Sequence, residues 1–183
     1  MSNLKAWPFV GALLWLVLKF FSTMWLNWED SAMAGTFVHL GLLLAISVGV
    51  VTLRKSFVTS VQTTFLDAMI EVAKPTLTYA LFGTLAVGSW YFGIHEAGTQ
   101  ARKAEQARQI EEALGSDEAF AATLEIRPDL TELDRERLYE KQMDNLEIFY
   151  SPAFHLGFAL LGLVVMGMLF SLVVTLLWRT VWR

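Results

Sequence analysis

The sequence predicts an all-α integral membrane protein with four transmembrane helices and an extramembrane, acidic helical hairpin between spans three and four. Two observations support this prediction. Hydrophobic residues make up 55% of the 183 residues, whereas soluble domains contain roughly 45–50%. These residues are also concentrated in four blocks of about twenty residues, the length at which a helix crosses the hydrocarbon core of a bilayer.

The four blocks cover residues 6–26, 32–53, 76–94 and 152–178. We expect each block to be a helix, because the bilayer core offers no partner for unsatisfied backbone N–H and C=O groups. The first block also has features of a secretory signal peptide, with Lys5 before an apolar run. Glu29 and Asp30 lie unfavourably close to a cleavage site at 32–34, so we expect the segment to be retained.

Three regions follow from these blocks. Spans one to three lie in 1–94, a periplasmic helical hairpin lies in 95–150, and the fourth span and the C-terminus lie in 151–183. At the last border, Ser151 suits an N-cap and Pro152 suits the first helical position, which needs no N–H donor. The pair predicts either that one helix ends there and another begins, or that one continuous helix is kinked at Pro152.

A further helical pattern lies between spans two and three, over residues 57–73. Apolar residues recur there about every four positions, at Phe57, Val61, Phe65, Met69 and Ala73. The spacing predicts an amphipathic helix on the cytoplasmic surface of the membrane. In that case Pro75 starts or kinks the third span. The alternative is that the stretch forms the inner part of a long, tilted third helix.

Cytoplasmic flanks of membrane spans are enriched in Lys and Arg, and the predicted flanks differ in this respect. One side carries Lys5, Arg54, Lys55, Lys74, Arg179 and Arg183, whereas the first loop on the other side carries only Glu29 and Asp30. We therefore expect a multi-pass protein of the bacterial inner (cytoplasmic) membrane with both termini cytoplasmic. Interfacial aromatic residues are expected on the inner side at Trp7, Tyr79, Trp178 and Trp182, and on the outer side at Trp25, Trp28, Trp90 and Tyr91.

Residues 95–150 form the most polar segment, with about twice as many carboxylates as Lys and Arg. Its many good helix formers predict a hairpin of two main helices. One helical face carries Tyr139, Met143, Leu146 and Tyr150. This face could pack on Ile110 and Leu114 of the same hairpin or on a partner chain. The net charge of −4 argues against nucleic acid, whose recognition needs a basic face.

The sequence contains no recognisable catalytic constellation. It has no cysteine, which excludes disulfides, thiol nucleophiles and thiolate metal sites. It also has no Walker loop, no nucleophile elbow, no HExxH pair and no paired carboxylates inside a span. We therefore expect no catalytic residue, no metal, no cofactor and no enzymatic activity.

Four ionisable residues in or near the predicted spans form a candidate intramembrane polar site: Lys19, His39, His95 and His155. A lysine inside hydrocarbon is costly unless it is paired or reaches water. The three histidines could relay protons or bind a metal, and Lys19 with a histidine could hold a lipid phosphate. The alternatives are that Lys19 extends to the outer surface and that each histidine is an isolated interfacial residue.

Small residues recur in spans two and four and form a candidate helix-packing or partner face. They are Gly41, Ala45 and Gly49 in the second span, and Gly157, Gly162 and Gly167 in the fourth. Small side chains let helix backbones approach closely in lipid. These faces could pack the four spans against each other or contact a neighbouring protein.

The acidic stretch EEALGSDEAF…LTELDRERLYEKQMDNLEIFYSPAF leads into a Gly-rich last span, and SFVTSVQTTFLDAM precedes the third span. This layout resembles, over nearly the whole chain, the bacterial membrane family catalogued as domain of unknown function 4199 and common in the Bacteroidota. The most specific shared feature is the aromatic residue followed by Ser-Pro. The chain departs from the family pattern in EAFAATLEIRPDL and in its many tryptophans.

The resemblance implies four spans in the inner membrane and no established activity. It also implies an accessory role in lipid-linked sugar chemistry, because genes of this family can lie near family-2 glycosyltransferases.

These observations predict a non-catalytic accessory or scaffold subunit of an inner-membrane protein assembly, linked through the resemblance to lipid-linked glycosyl transfer. The expected partners are the lipid bilayer and either another membrane protein or a second copy of the chain. The alternative is a small membrane transporter or lipid-binding protein that uses Lys19 and His39. A water-accessible cavity around these two side chains would favour the alternative, whereas close packing around them would favour the scaffold.

Overall fold

The computed structural model describes residues 3–126 and 135–181. Its helices are α1 (Asn3–Trp25), α2 (Trp28–Leu53), α3 (Lys55–Val58), α4 (Phe65–Ser89), a π-helical turn (Trp90–Ile94), α5 (Glu96–Leu114), α6 (Asp117–Ile126), α7 (Arg135–Phe149) and α8 (Pro152–Val181). Neither described range contains a strand. The predicted all-α class is therefore confirmed.

Four helical segments are long and apolar enough to cross a membrane: Ala6–Trp25, Trp28–Leu53, Phe65–Ile94 and Pro152–Val181. They coincide with the four predicted blocks, which confirms the expected number of candidate spans. The third segment begins at Phe65 instead of residue 76, because Pro75 lies within α4 and does not end it. Membrane insertion and the orientation of these helices both stay predictions. Trp182 and Arg183 of the predicted inner flank lie outside the described residues.

The chain divides into two compact units. One, the span unit, consists of Met1–Ser89 with Leu156–Arg183, and the other, the polar unit, consists of Trp90–His155. Within the span unit, α1 packs against α2 and α4, and α2 also packs against α4. Helix α2 begins after Asn27, whose Oδ1 accepts a hydrogen bond from the Asp30 backbone N–H at 2.8 Å, and an N-cap of this kind satisfies one of the orphan donors at a helix start.

Helix α8 joins the span unit through a small polar contact and a glycine. Thr76 Oγ1 and Ser171 Oγ lie 3.2 Å apart. A Cβ built on Gly167 would lie 3.4 Å from Thr76 Cβ and 3.5 Å from Leu43 Cδ2, so Gly167 faces α2 and α4. Nearby, one cluster of buried apolar residues consists of Val50, Val51, Val58, Ala68, Val72 and Val174.

Residues 57–73 are divided among three structures. Helix α3 ends at Val58, residues 59–64 are not helical, and α4 begins at Phe65. The first turns of α4 therefore belong to the helix of the third candidate span. The second sequence alternative proposed this for all of residues 57–73, whereas in the structure it holds from Phe65 onward. Thr64 stabilises this start, because its Oγ1 accepts a hydrogen bond from the Asp67 backbone N–H at 3.1 Å.

Within the polar unit, α5 contacts both α6 and α7. Lys103 Nζ lies 3.0 Å from Glu147 Oε1, and Thr123 Oγ1 donates to the Ala113 carbonyl at 3.0 Å. Leu114 and Leu146, which the sequence predicted as packing residues, are both buried, and so is Leu138, which was not predicted. Residues 127–134 of the predicted hairpin lie outside the described ranges.

The border at Ser151 and Pro152 is a break between two helices. Helix α7 ends at Phe149 and α8 begins at Pro152. Ser151 Oγ accepts a hydrogen bond from the Phe154 backbone N–H at 3.3 Å, as an N-cap residue does. The prediction of two separate helices is confirmed, and the alternative of one kinked helix is wrong.

Candidate functional site

Lys19 is the centre of a buried polar contact between α1 and α2. Its Nζ donates to the Ser31 carbonyl at 2.7 Å and lies 2.8 Å from Ser31 Oγ. Ser22 Oγ, one turn further along α1, lies 2.9 Å from the same hydroxyl. Only 4% of the Lys19 surface is exposed, because α2 begins close enough to supply polar partners. The alternative that Lys19 extends to the outer surface of the membrane stays a prediction.

His39 lies in a neighbouring aromatic cluster between α1, α2 and α4. The ring of Trp15 stacks on it, with ring centroids 4.5 Å apart and planes 16° apart, and Trp15 Nε1 donates to the Gly35 carbonyl at 2.8 Å. On the other side, His39 Nδ1 and the Tyr79 hydroxyl oxygen are 2.6 Å apart. His39 therefore bridges three helices.

One polar atom of this cluster is not satisfied. His39 Nε2 is buried and has no hydrogen-bond partner among the described residues. Since a neutral imidazole has one donor and one acceptor nitrogen, either tautomer leaves one of them unpaired at Nε2. A buried unpaired polar group costs about 1–3 kcal/mol, so Nε2 is the atom at which a small polar ligand or a water would be stabilising.

Glycines bring the helices close together around this cluster. A Cβ on Gly35 would lie 3.4 Å from Lys19 Cδ and 3.5 Å from the Trp15 ring, and one on Gly83 would lie 3.4 Å from His39 Cε1. His39 itself is 6% exposed. Lys19 and His39 are therefore closely packed side chains, and the contacts around them join α1, α2 and α4.

His95 and His155 belong to the polar unit, whereas Lys19 and His39 belong to the span unit. His155 Nδ1 donates to the Phe149 carbonyl at 2.8 Å, and its ring lies among aromatic rings, 5.5 Å from those of Tyr91 and Phe149. The His95 ring lies 5.5 Å from that of Trp90. In the described parts of the chain, no three or more His, Cys, Asp or Glu residues are arranged to hold a metal ion.

The small residues of α2 and α8 face in two directions. Gly49 lies against the Trp7 ring so closely that a Cβ would overlap it, and Gly167 contacts Thr76 and Leu43. In contrast, no described atom of the span unit lies within 4 Å of a Cβ built on Gly41, Gly157 or Gly162, and Ala45 is exposed. Two of the six predicted residues thus pack inside the span unit, and four lie on its outward faces.

Sequence reasoning missed four residues that contact Lys19 or His39 or their partners: Trp15, Ser22, Ser31 and Tyr79. The pattern that could have revealed them is helical spacing. Trp15 and Lys19 are four residues apart on α1, and Ser31, Gly35 and His39 are four apart on α2, so each set lies on one helix face. Tyr79 and Trp90, which were expected in the interfacial aromatic belts, are both buried.

Comparisons with models of protein families, with curated proteins and with solved structures gave no match. The resemblance to the family of unknown function stays a prediction that these comparisons do not test.

Proposed function

We propose that the chain is a non-catalytic accessory or scaffold subunit of a bacterial inner-membrane assembly. In this proposal both termini are cytoplasmic, residues 95–150 are periplasmic, and the partner is another membrane protein. The family resemblance adds a link to lipid-linked glycosyl transfer.

The outward small residues are the observation that most strongly supports the proposal. Gly41 and Ala45 on α2 leave a shallow surface into which another helix could fit, and Gly157 and Gly162 do the same on α8. Close backbone approach favours helix association in lipid, where burial of apolar side chains gives little net drive. Inward small residues would have explained only the packing of the chain itself.

The close packing of Lys19 and His39 supports the same proposal. These side chains were the candidates for a transport or ligand pathway, and both are nearly fully buried against neighbouring helices. Their contacts join the three helices of one unit, which is the role expected of polar residues in a structural subunit.

Co-purification in mild detergent after crosslinking in cells tests this proposal. We expect the wild-type chain to retain a discrete partner, and Gly41→Leu or Gly162→Leu to reduce its recovery. Leu85→Phe is a matched control, because it also adds bulk to an outward position, but on a face of α4 that already carries large side chains. Recovery of the wild-type chain only as a free monomer, with no crosslinked partner, would contradict the proposal.

A small transporter or lipid-handling protein is the second candidate function. The unpaired His39 Nε2 favours it, because a transported or bound polar group would satisfy this atom. In this case Lys19→Leu is expected to abolish transport or lipid binding without loss of expression. Wild-type behaviour of the variant would exclude the candidate.

A further inference from the structure

A pocket of about 320 Å³ opens where α3, the following turn and the first turns of α4 meet. Its lining includes Phe57, Thr63, Asp67, Ile70, Glu71 and Lys74. Helix α2 ends at Leu53. The end of α2 lies near the pocket, because the next residue, Arg54, pairs with Glu71 of the pocket lining. The pocket therefore lies beside the end of α2 and the first turns of α4. If these helices cross a bilayer as proposed, such ends lie where hydrocarbon gives way to lipid headgroups.

Glu71 in the pocket lining pairs with two cations: Lys74, which also lines the pocket, and Arg54, which lies beside it. The Arg54 guanidinium pairs with one oxygen of Glu71, and Lys74 Nζ lies 3.0 Å from the other. An Arg side chain has five N–H donors and a Lys side chain three, more than one carboxylate can accept. Arg54 and Lys74 therefore keep donors with which to bind a second anion.

The pocket lining carries two carboxylates, Asp67 and Glu71, and one cation, Lys74, but further cations lie around it. Arg179 adds a third cation, because its Nη2 donates to the carbonyl of Thr63 in the pocket wall at 3.0 Å. With Lys55 at the start of α3, this end of the span unit carries four cationic side chains against the two carboxylates of Asp67 and Glu71. An excess of Lys and Arg next to membrane spans attracts anionic lipid.

The remaining lining is apolar. Phe57 and Ile70 are each 42% exposed, although both lie beside charged groups. A phospholipid has the same two-part chemistry, with a phosphate next to acyl chains. We propose that this pocket binds an anionic phospholipid, with Arg54 and Lys74 donating to its phosphate and Phe57 and Ile70 contacting its acyl chains. This site is independent of the scaffold function proposed above.

Native mass spectrometry of the purified full chain, titrated with phosphatidylglycerol or phosphatidylcholine, tests the inference. We expect phosphatidylglycerol to bind more tightly. Lys74→Gln should weaken its binding about fivefold and Asp67→Asn should strengthen it about fivefold, the change expected for one charge near the headgroups. Neither variant should alter phosphatidylcholine binding to the same extent. Both side chains are exposed, so circular dichroism should show an unchanged helical fold.

Lys103→Gln is the matched control, because Lys103 also pairs with a glutamate at 3.0 Å but lies in the polar unit. It should leave lipid binding unchanged. Equal affinities of the wild type for the two lipids would overturn the inference, and so would equal losses in Lys74→Gln and Lys103→Gln. Displacement of phosphatidylglycerol by millimolar inorganic phosphate would show a free-phosphate site and would overturn the assignment to lipid.

Discussion

The Lys19 ammonium donates to Ser31 across the turn between the first two long helices, with Nζ 2.7 Å from the carbonyl oxygen and 2.8 Å from Oγ. The Ser31 carbonyl and hydroxyl lie in the first turns of α2, so a cation from α1 meets two oxygens at the start of its neighbour. Lys19, a residue type that is costly in hydrocarbon, thereby links two adjacent candidate spans.

Ser31→Ala is expected to destabilise the α1–α2 pair, because it removes the hydroxyl that contacts both Lys19 and Ser22. We expect a loss of about 1 kcal/mol, within the range of hydrogen bonds between membrane helices. Thermal unfolding in mild detergent measures it. Thr23→Ala is the control, since the Thr23 hydroxyl donates to the nearby Phe20 carbonyl within its own helix. Equal melting temperatures for the two variants would contradict a structural role for Ser31.

Tyr79→Phe is expected to cost about 1–3 kcal/mol, because it removes the hydroxyl that lies 2.6 Å from His39 Nδ1 and leaves a buried imidazole less satisfied. A double-mutant cycle with His39→Leu separates this pair from general packing effects. If the bond stabilises the fold, the second substitution should cost much less once the first is present. Strictly additive losses would show that the two residues do not act as a pair.

Gly167 and Gly162 are expected to respond differently to the same substitution. Gly167→Leu should destabilise the span unit, because the added side chain would meet Thr76 and Leu43. Gly162→Leu should leave the melting temperature nearly unchanged, because no described atom of that unit is close. Melting temperatures of the two variants, measured in the same detergent, test this contrast. A large loss in Gly162→Leu alone would place the packing surface of α8 on the opposite face.

The four candidate spans were predictable from the sequence because a long apolar run has few alternatives. The length of each apolar run predicted roughly where a candidate span begins and ends. The Ser151-Pro152 pair predicted the start of α8, because helix capping depends on local chemistry. The start of the third span was less predictable. Pro75 is a helix breaker in most contexts, yet α4 continues through it from Phe65.

The polar contacts between helices were much less predictable, because they depend on how each helix is rotated about its axis. The sequence placed Lys19 and His39 in adjacent spans, but it did not indicate that Ser31 and Tyr79 would be their partners. It also did not indicate which way the glycines face, because the same helical spacing results whether they pack against the same chain or against another. Only the packed structure separates Gly167 from Gly162.

Arg135 is expected to stabilise the junction of α5, α6 and α7 in the polar unit. Its Nη1 donates to the Leu114 carbonyl at 3.0 Å, and its Nε lies 2.9 Å from Asp117 Oδ1. Arg135→Ala should lower the free energy of local opening around the end of α5 by about 1 kcal/mol, and backbone hydrogen exchange there should become faster. Arg137→Ala on the same helix is the control, because Arg137 is exposed. Equal exchange rates in both variants would contradict this role.

The threading of the chain through the membrane is the central claim, since the scaffold proposal assigns residues 95–150 to the periplasm and both termini to the cytoplasm. The chain contains no cysteine, so single cysteines report on one position each. Ala121→Cys in the polar unit and Ser56→Cys in α3 both replace exposed residues.

Labelling with a membrane-impermeant maleimide in intact spheroplasts tests this threading most directly. The account predicts that Cys at position 121 is labelled at once and that Cys at position 56 is labelled only after the membrane is permeabilised. Protection of position 121 together with labelling of position 56 would contradict it.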